Sequence, residues 1–445
     1  MTLRFGTDGV RGVADTELTT ELIVALGRAA ARVLDGDRFV VARDPRASGP
    51  RIEAALVEGL ACEGVGVDLL GMAPTPAVAW LSQADHRPAA MISASHNPFA
   101  DNGVKLFAAG GRKLSDETEE RLEAQLDRLL AGGGGRVGDA QPLPRQAHDQ
   151  VERWAAAVSG SLEAGALAGL RLVIDCANGA ASEVAGPVLE GLGAEVDVLH
   201  AEPDGTNINA ACGSTNPGSL QERVRAVGAD AGLAFDGDAD RVLAVDAAGR
   251  LISGDHLIAI CAIDRHERHR LPGDTVVVTV MTNLGFRLGM AERGITVVDT
   301  PVGDRYVLEA LDAGGWSLGG EQSGHVIFRD LATTGDGLLT GLQVLDVVAR
   351  SGRPLADLAQ TAMTELPQVL HNVRVADRDP ALLEHVAGEI AAVEAELGDH
   401  GRVLVRPSGT EPLVRVMVEA ETADRAEAAA RRIARAVLAA TPRTG

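Results

Sequence analysis

The sequence predicts an α/β protein of several domains. Three predicted helices, 51–62, 182–192 and 283–292, are each closed by a glycine and followed by a valine-containing strand; the glycines are Gly64, Gly193 and Gly294. Glycine supplies the left-handed residue that closes a helix, and a spacing of about 100 residues is what three similar domains would give. The 445 residues also exceed what one hydrophobic core supports. Because a helix, a glycine and a strand follow one another in many α/β proteins, this pattern alone does not decide between three similar domains and a chance recurrence.

The predicted elements divide the chain into four domains. In residues 1–150, a helix begins at Ser115-Asp116, where Glu119 can complete a capping box, and it stops at the glycine run 132–135. A second domain, 151–252, contains strand 171–175, and a turn at 251–255 leads into a third, 253–363. Residues 364–445 indicate a smaller α+β domain, with predicted strands at 369–375 and around 407–410 and helices at 380–396 and 422–440.

The net charge of −22 restricts the partners of this chain. An acidic surface repels nucleic acid and anionic membrane, and a phosphorylated substrate needs positive charge concentrated where it binds. No apolar run is long enough to span a bilayer, and the N-terminus lacks a signal-peptide pattern. Four scattered cysteines indicate free thiols in a reducing compartment, so we expect a cytoplasmic protein.

A serine loop follows an apolar strand near residue 92. The stretch 92–98 presents Ser95 beside His96, and Lys105, one of only two lysines, follows. A serine there can simply end the strand, but loops at strand ends of α/β sheets face the ligand crevice, which favours a functional serine. The nucleophile-elbow pattern of acyl-transfer enzymes is absent, so we interpret Ser95 as a carrier of a phosphoryl group.

Three alternating aspartates, Asp236, Asp238 and Asp240, lie between two apolar strands. Carboxylates held this close repel one another and imply a cation, and oxygen-only ligands suit Mg²⁺. A solvated acidic turn is one alternative. An EF-hand is excluded because the sixth position is Arg241 rather than glycine. Arg241 can also hold a phosphate beside the metal.

The loop 319–325 is ambiguous when taken alone. Its glycines permit close approach of a ligand, and Glu321 and Ser323 can bind sugar hydroxyls. An ordinary glycine turn with a capping glutamate is the alternative.

Two more loops combine glycine with arginine. The stretch 406–412, with Arg415 beyond it, has the composition of a phosphate loop, although a tight hairpin turn explains it equally well. The stretch 5–12 places Arg11 at a glycine-rich turn and lacks the dinucleotide-binding fingerprint; taken alone, it does not exclude an ordinary glycine turn.

In this order and at these distances, the loops resemble those of the α-D-phosphohexomutase family over the whole chain. The resemblance implies four domains around a central cleft, three similar α/β domains and a smaller C-terminal α+β domain. It identifies Ser95 as a phosphoserine that ligates Mg²⁺ together with the three aspartates. The residues assigned to catalysis are Ser95, Arg11, Lys105 and His96. The residues assigned to substrate binding are Glu321, Ser323, His325, Arg406, Ser408, Gly409, Thr410, Arg415 and Arg241.

Within the family, the stretches 320–325 and 207–215 resemble the phosphoglucosamine mutases. The resemblance implies interconversion of glucosamine 6-phosphate and glucosamine 1-phosphate, which feeds UDP-N-acetylglucosamine and cell-wall synthesis. Phospho-Ser95 would donate its phosphoryl group to the sugar O1, the bisphosphorylated intermediate would turn, and the 6-phosphoryl group would return to Ser95. Ala239 stands where glycine is more usual, and alanine is tolerated there if its φ is negative. The run 43–46 departs from a Lys-Asp-Thr-Arg-like pattern but keeps its charge.

Alternative functions stay open: a phosphomannomutase/phosphoglucomutase, and a non-catalytic regulatory protein that binds sugar phosphates. The intact set of Ser95, three aspartates and Arg11 argues against the non-catalytic alternative. The sequence does not decide whether Arg11 or Lys105 is the general acid/base. It also leaves open whether a kinase or autophosphorylation first loads Ser95, and whether the chain forms a homodimer.

Overall fold

The computed structural model describes residues 9–132, 142–375, 382–407 and 412–440. The chain forms two compact units: unit 1 comprises residues up to 281 together with 295–360, and unit 2 comprises 282–294 together with residues from 361 onward. Among the described residues, no helix combines the length and apolar character needed to cross a bilayer.

Unit 1 begins with a seven-stranded sheet and its helices. Its elements are β1 (Val10–Val13), α1 (Thr20–Val33), β2 (Arg38–Arg43), α2 (Gly49–Cys62), β3 (Gly66–Met72), α3 (Thr75–Asp85), β4 (Ala89–Ile92), β5 (Asp101–Ala108), β6 (Arg112–Lys113), α4 (Asp116–Leu130), β7 (Arg145–Gln146) and α5 (Gln150–Ser159). Leu26, Ile52 and Leu56 of its helices pack with Phe39 and Ile92 of its strands in one fully buried core.

The second sheet has five strands. Its elements are β8 (Arg171–Asp175), α6 (Ala185–Gly191), β9 (Glu195–Leu199), α7 (Gly218–Val227), β10 (Ala231–Phe235), β11 (Val242–Asp246) and β12 (Leu251–Ile252).

The third sheet has four strands. The elements in this stretch are α8 (Gly254–Glu267), β13 (Thr275–Thr279), α9 (Leu284–Ala291), β14 (Thr296–Thr300), α10 (Asp304–Gly314), β15 (Leu318–Gly320), β16 (Val326–Phe328), α11 (Gly337–Ser351) and α12 (Leu355–Ala362). Of these, α9 belongs to unit 2.

The three sheets share one plan. In each, three parallel strands are neighbours with the earliest strand in the middle, giving the orders β3-β2-β4, β9-β8-β10 and β14-β13-β15. The next strand, β5, β11 or β16, then pairs antiparallel with the third of these. This repetition confirms the prediction of three similar α/β domains.

The glycines that suggested the repeat have the predicted conformation. Gly64, Gly193 and Gly294 have φ of 82°, 96° and 72°, the left-handed region that closes a helix before the next strand. The helices are slightly shorter or shifted: the predicted 182–192 is α6 at 185–191, and the predicted 283–292 is α9 at 284–291.

The N-terminus of α4 is capped as predicted, but by one contact of the expected pair. Ser115 Oγ accepts a hydrogen bond from Thr118 N at 3.3 Å. Glu119, predicted to complete the capping box, accepts a hydrogen bond from Arg305 instead. The Glu119 carboxylate therefore pairs with Arg305, which is distant in sequence, and not with the backbone N–H that the capping-box pattern predicts.

Unit 2 is a smaller α+β unit. Its remaining elements are β17 (Gln368–Arg374), α13 (Leu382–Leu397), β18 (Arg402–Pro407), β19 (Leu413–Glu419) and α14 (Ala423–Ala440), with antiparallel strand order β17-β19-β18. The buried Glu419 accepts hydrogen bonds from Leu284 N and Arg402 Nε at 2.9 and 3.0 Å, which attaches α9 to this sheet.

Candidate active site

Three candidate loops occupy the equivalent turn of the three sheets in unit 1. The Ser95 loop joins β4 to β5, the aspartate loop joins β10 to β11, and the Glu321 loop joins β15 to β16. Each turn follows the C-terminal end of a parallel strand, the edge where open α/β sheets bind ligands. The loops also meet, because Ser95 Oγ donates to Asp236 Oδ2 at 2.5 Å and Val242 N donates to Gly324 O at 3.1 Å.

Ser95 is fully buried at the tip of its loop and has a φ of 52°. Its hydroxyl oxygen lies 3.4 Å from His96 Nδ1 as well as against Asp236. A positive φ is uncommon for a residue with a side chain and persists only where surrounding contacts enforce it.

Arg46 supplies most of those enforcing contacts. Its side chain has no exposed surface; Nη2 donates to the carbonyl oxygens of Ser95 and Asn97, both at 2.9 Å. Nη1 donates to the carbonyl oxygens of Asp101, at 2.9 Å, and Pro98. The sequence indicates only the charge of the run 43–46, because contacts with carbonyl oxygens about 50 residues away leave no local pattern.

Asp44 and Asn209 complete the frame. Asp44 Oδ2 accepts from Arg46 Nε at 2.8 Å and from Ser93 Oγ at 2.6 Å, and Ser93 Oγ accepts from Ser95 N at 2.9 Å. Burial raises the pKa of Asp44 although Arg46 and Ser93 oppose the shift. Asn209 Nδ2 donates to the carbonyl oxygens of Ser95 and Asn97 at 2.9 and 3.1 Å. In the sequence, Asn209 stands out only as part of the stretch 207–215.

The three aspartates form a buried cluster that fits a divalent cation. Asp236, Asp238 and Asp240 each offer a carboxylate oxygen, and these oxygens lie within 4.8 Å of one another. Oδ1 of Asp238 and Oδ1 of Asp240 are buried, and neither accepts a hydrogen bond from the part of the chain that the structure describes. Buried carboxylate oxygens without donors are costly unless a cation satisfies them, and an all-oxygen set suits Mg²⁺.

The pKa values of Asp236 and Asp238 are shifted in opposite directions. Burial, reinforced by Asp240 and Asp238, raises the pKa of Asp236 well above its ordinary value. For Asp238, burial opposes ionisation, but Lys105 and Thr75 outweigh it and lower the pKa. Lys105 Nζ donates to Asp238 Oδ2 at 2.6 Å and to Asp240 Oδ2 at 3.1 Å, and Thr75 Oγ1 donates to Asp238 Oδ2 at 2.6 Å. Thr75, at the start of α3, had no signal in the sequence.

Arg241 and Arg11 add positive charge around His96. Arg241 Nη1 donates to His96 Nδ1 at 3.2 Å, and Arg241 N donates to Asp236 Oδ1 at 3.2 Å. Arg11 lies on β1, paired in register with Gly103 of β5. Burial and then the charges of Arg241 and Arg11 lower the pKa of His96, which favours the neutral imidazole.

Ala239 does not meet the condition under which alanine would be free of strain, a negative φ. Its φ is 59°, in a turn between Asp238 and Asp240 where its carbonyl oxygen accepts a hydrogen bond from Gly337 N at 3.0 Å. A left-handed alanine costs about 1 kcal/mol relative to glycine. The aspartate loop therefore tolerates strain that the more usual glycine would avoid.

The Glu321 loop places its polar groups close to the aspartate loop. Burial raises the pKa of Glu321, with opposing effects from His325 and Arg241. Ser323 Oγ is buried without a hydrogen-bond partner among the described residues. His325 is 3% exposed, and its Nε2 lies 3.3 Å from Asp304 Oδ2.

The arginines of the predicted phosphate loop lie on neighbouring strands of unit 2. Arg406 of β18 pairs in register with Arg415 of β19. Burial and the charge of Arg415 lower the pKa of Arg406, so two guanidinium groups repel each other where an anion would neutralise them. Ser408, Gly409 and Thr410 lie outside the described residues.

The geometry of unit 1 suits transfer of a phosphoryl group. A hydroxyl oxygen that can carry the group lies beside three carboxylates that can hold a cation. Lys105 and the guanidinium group of Arg241 bring positive charge to the same loops. Phosphoryl transfer depends chiefly on positioning and on neutralising charge, and these groups supply both.

Comparison with known protein families matches all four parts of the chain. The phosphoglucomutase/phosphomannomutase α/β/α domains I, II and III match residues 2–131, 152–249 and 253–366, and the C-terminal domain matches residues 370–436.

Individual proteins agree with this result. Phosphoglucosamine mutase of Thermobifida fusca is 54% identical over 444 residues, covering 98% of both chains, and that of Rhodococcus jostii is 54% identical over 428 residues, covering 94% of this chain and 95% of its own. A crystal structure of a phosphoglucomutase/phosphomannomutase family protein from Burkholderia thailandensis superimposes with a TM-score of 0.82 at 26% identity, covering 99% and 98% of the two chains. N-acetylphosphoglucosamine mutase of Aspergillus fumigatus shares the fold, with a TM-score of 0.70 at 18% identity and coverage of 99% and 96%.

Proposed function

The chain belongs to the phosphoglucomutase/phosphomannomutase family, and from that premise we propose that it interconverts glucosamine 6-phosphate and glucosamine 1-phosphate. Near-full-length relatives that are phosphoglucosamine mutases support this choice of sugar. The observation that carries the proposal is the contact of Ser95 Oγ with Asp236, one of three buried aspartates that face one another.

Ser95 is the carrier of the phosphoryl group in this proposal. Its oxygen passes the group to O1 of glucosamine 6-phosphate and takes back the group on O6, so that the P–O bond to Ser95 is broken and then remade. Asp236, Asp238 and Asp240, with the phosphorylated Ser95, would hold Mg²⁺. When bound, Mg²⁺ offsets the negative charge of the group being transferred.

Lys105 and Arg11 stabilise charge during the transfer. Lys105 Nζ is held by two of the three aspartates, which places a cation at the edge of the cluster. Arg11 acts on the same groups, since its charge lowers the pKa of both His96 and Asp238. Arg241 contacts His96 through its side chain and the carboxylate of Asp236 through its backbone N–H, so it sets the position of the imidazole beside Ser95.

In this proposal, the Glu321 loop binds the sugar ring, and the arginines of unit 2 bind its phosphate group. An amine at C2 is largely cationic at neutral pH, so a buried carboxylate such as Glu321 favours glucosamine over glucose. Ser323 and His325 complete this sugar-binding set. Arg406 and Arg415, with the loop 408–410, bind a phosphate group, and their replacement by alanine would mainly raise KM.

A substrate panel tests the proposal. Purified protein is assayed with glucosamine 6-phosphate, glucose 6-phosphate and mannose 6-phosphate, and we expect kcat/KM for glucosamine 6-phosphate to be higher by about tenfold or more. Equal or better turnover of glucose or mannose phosphate would identify a phosphomannomutase/phosphoglucomutase instead. Binding of all three sugar phosphates without turnover would identify a non-catalytic sugar-phosphate-binding protein. The Ser95→Ala variant serves as the control and gives the background rate of the assay.

A further inference from the structure

A second cluster of potential metal ligands lies in the second sheet of unit 1, outside the candidate active site. It consists of Asp175, His200 and Cys212. One ligand atom from each residue, a carboxylate oxygen, an imidazole nitrogen and the thiol sulfur, lies within 4.8 Å of the others. None of the three residues is used in the proposed phosphoryl transfer.

The sheet topology brings these side chains together. Asp175 ends β8 and is paired in register with Leu199, the last residue of the neighbouring parallel strand β9, so His200 follows at the same edge. Gly213 N donates to Asp175 Oδ2 at 2.9 Å, which places the adjacent Cys212 over the same carboxylate. Asp175 and Cys212 are fully buried, and the side chain of His200 is 31% exposed.

Two details distinguish the cluster from ordinary packing. His200 Nδ1 is buried 3.1 Å from Asp175 Oδ1, yet it makes no hydrogen bond with acceptable geometry to any described residue. Asp175 is oriented by two backbone donors, Ala177 N to Oδ1 and Gly213 N to Oδ2, both at 2.9 Å. Carboxylates that bind metals are commonly oriented by such outer hydrogen bonds, and a buried nitrogen close to a carboxylate but not hydrogen-bonded to it is suited to sharing a cation with it.

We propose that Asp175, His200 and Cys212 bind a thiophilic divalent cation of the Zn²⁺ class. Sulfur and imidazole ligands select zinc over magnesium, whereas the three-aspartate cluster offers oxygen alone. Ligand atoms of a tetrahedral zinc site lie about 3.3–3.7 Å apart, so small side-chain adjustments close the observed spacing. Binding releases the thiol proton of Cys212 to water, and the partly exposed side of His200 gives a path for entry and for a water as fourth ligand.

The position of this site links it to the Ser95 loop. Asn209, three residues before Cys212, donates to the carbonyl oxygens of Ser95 and Asn97, and Asn209 N donates to Ala177 O at 2.9 Å. A cation bound at Cys212 would therefore stabilise the segment 209–212, which contacts the Ser95 loop through Asn209.

Cobalt(II) in the presence of excess Mg²⁺ tests the proposal, because a thiolate bound to cobalt gives a near-ultraviolet charge-transfer band that an all-carboxylate site cannot give. We expect one thiolate-bound Co²⁺ per chain, displaced by Zn²⁺. The band should vanish in Cys212→Ser, and Co²⁺ affinity should fall at least tenfold in His200→Ala. Cys62→Ser, which removes a different thiol, and Asp238→Asn, which alters the three-aspartate cluster, should both keep the band.

No band in the wild-type protein, or a band that persists in Cys212→Ser, would overturn the proposal and leave a buried His–Asp pair beside a packed thiol. If Cys212→Ser does not fold, His200→Ala decides alone, because its side chain is partly exposed and wild-type Co²⁺ affinity in that variant would equally refute the site. Mutase activity is not part of the measurement, so its result is independent of the proposed function.

Discussion

Replacing Arg46 tests whether the Ser95 loop is held by one buried guanidinium. Arg46→Lys keeps the charge but cannot reach four carbonyl oxygens and Asp44 at once, since an ammonium lacks the planar fork of arginine. Removing one partner of a buried ion pair costs about 3–5 kcal/mol, and lysine, which retains the charge, should cost about half of that. Because whole proteins are stable by about 5–15 kcal/mol, the variant should fold but melt at a lower temperature.

The effect on catalysis should exceed the effect on binding. Ser95 holds a φ of 52° only while its carbonyl oxygen is fixed by Arg46 and Asn209, so Arg46→Lys should lower kcat by about a hundredfold or more. KM for glucosamine 6-phosphate should change little, because Arg46 touches the loop and has no exposed surface.

Steady-state kinetics and thermal melting of Arg46→Lys are compared with those of Arg43→Lys. Arg43 ends β2, three residues before Arg46; its side chain is partly exposed and its Nε lies 3.5 Å from Glu53, so lysine there keeps the charge of that pair. Wild-type kcat in Arg46→Lys, or equal losses in both variants, would refute the argument that this frame positions Ser95.

Three other substitutions test Mg²⁺ binding, the preference between sugars and the stability of the fold at low pH. Asp238→Asn removes an anionic ligand and should weaken Mg²⁺ binding, measured by calorimetry, at least tenfold; undiminished affinity would contradict the three-aspartate site. Glu321→Gln should lower the preference for glucosamine over glucose phosphate by about tenfold, whereas Ser323→Ala should affect both sugars alike; an unchanged ratio would remove Glu321 from sugar selection. Burial opposes ionisation of Asp68, but hydrogen bonds from Arg145 and Arg87 lower its pKa to about 2. Ionised Asp68 therefore stabilises the fold at pH values above its ordinary pKa, and this stability is lost as the pH falls towards 2. Asp68→Asn should lower the stability by about 1–2 kcal/mol at pH 7, and its melting temperature should depend less on acid pH than that of the wild type. Equal dependence on acid pH in the two proteins would refute this.

Local patterns were enough to predict the elements that carry the chemistry. A glycine after each of three helices suggested the repeated α/β plan, and the resemblance of the loops to one family then favoured it over coincidence. Alternating aspartates between two strands identified a cluster that the structure brings together. These features depend on residues close in sequence, where propensity and spacing determine conformation.

Contacts between distant residues escaped prediction. Arg46 reaches a carbonyl oxygen 55 residues away, and Thr75 donates to an aspartate 163 residues away, pairings that no single-sequence pattern encodes. Ala239 shows the same limit in the backbone. Alanine by itself favours a negative φ, but hydrogen bonds from Thr75 N to Asp238 O and from Gly337 N to Ala239 O hold the turn in the left-handed region.

The central claim, that Ser95 exchanges a phosphoryl group with the sugar under control of the three aspartates, is tested most directly in a single turnover. Protein carrying an isotopically labelled phosphate, located on Ser95 by peptide mapping, is mixed with less than one equivalent of glucosamine 6-phosphate. We expect the label to leave Ser95 and appear in sugar phosphates at least as fast as kcat, and to do so far more slowly in Asp238→Asn. Formation of glucosamine 1-phosphate while the label stays on Ser95, or wild-type turnover in Ser95→Ala, would contradict the account.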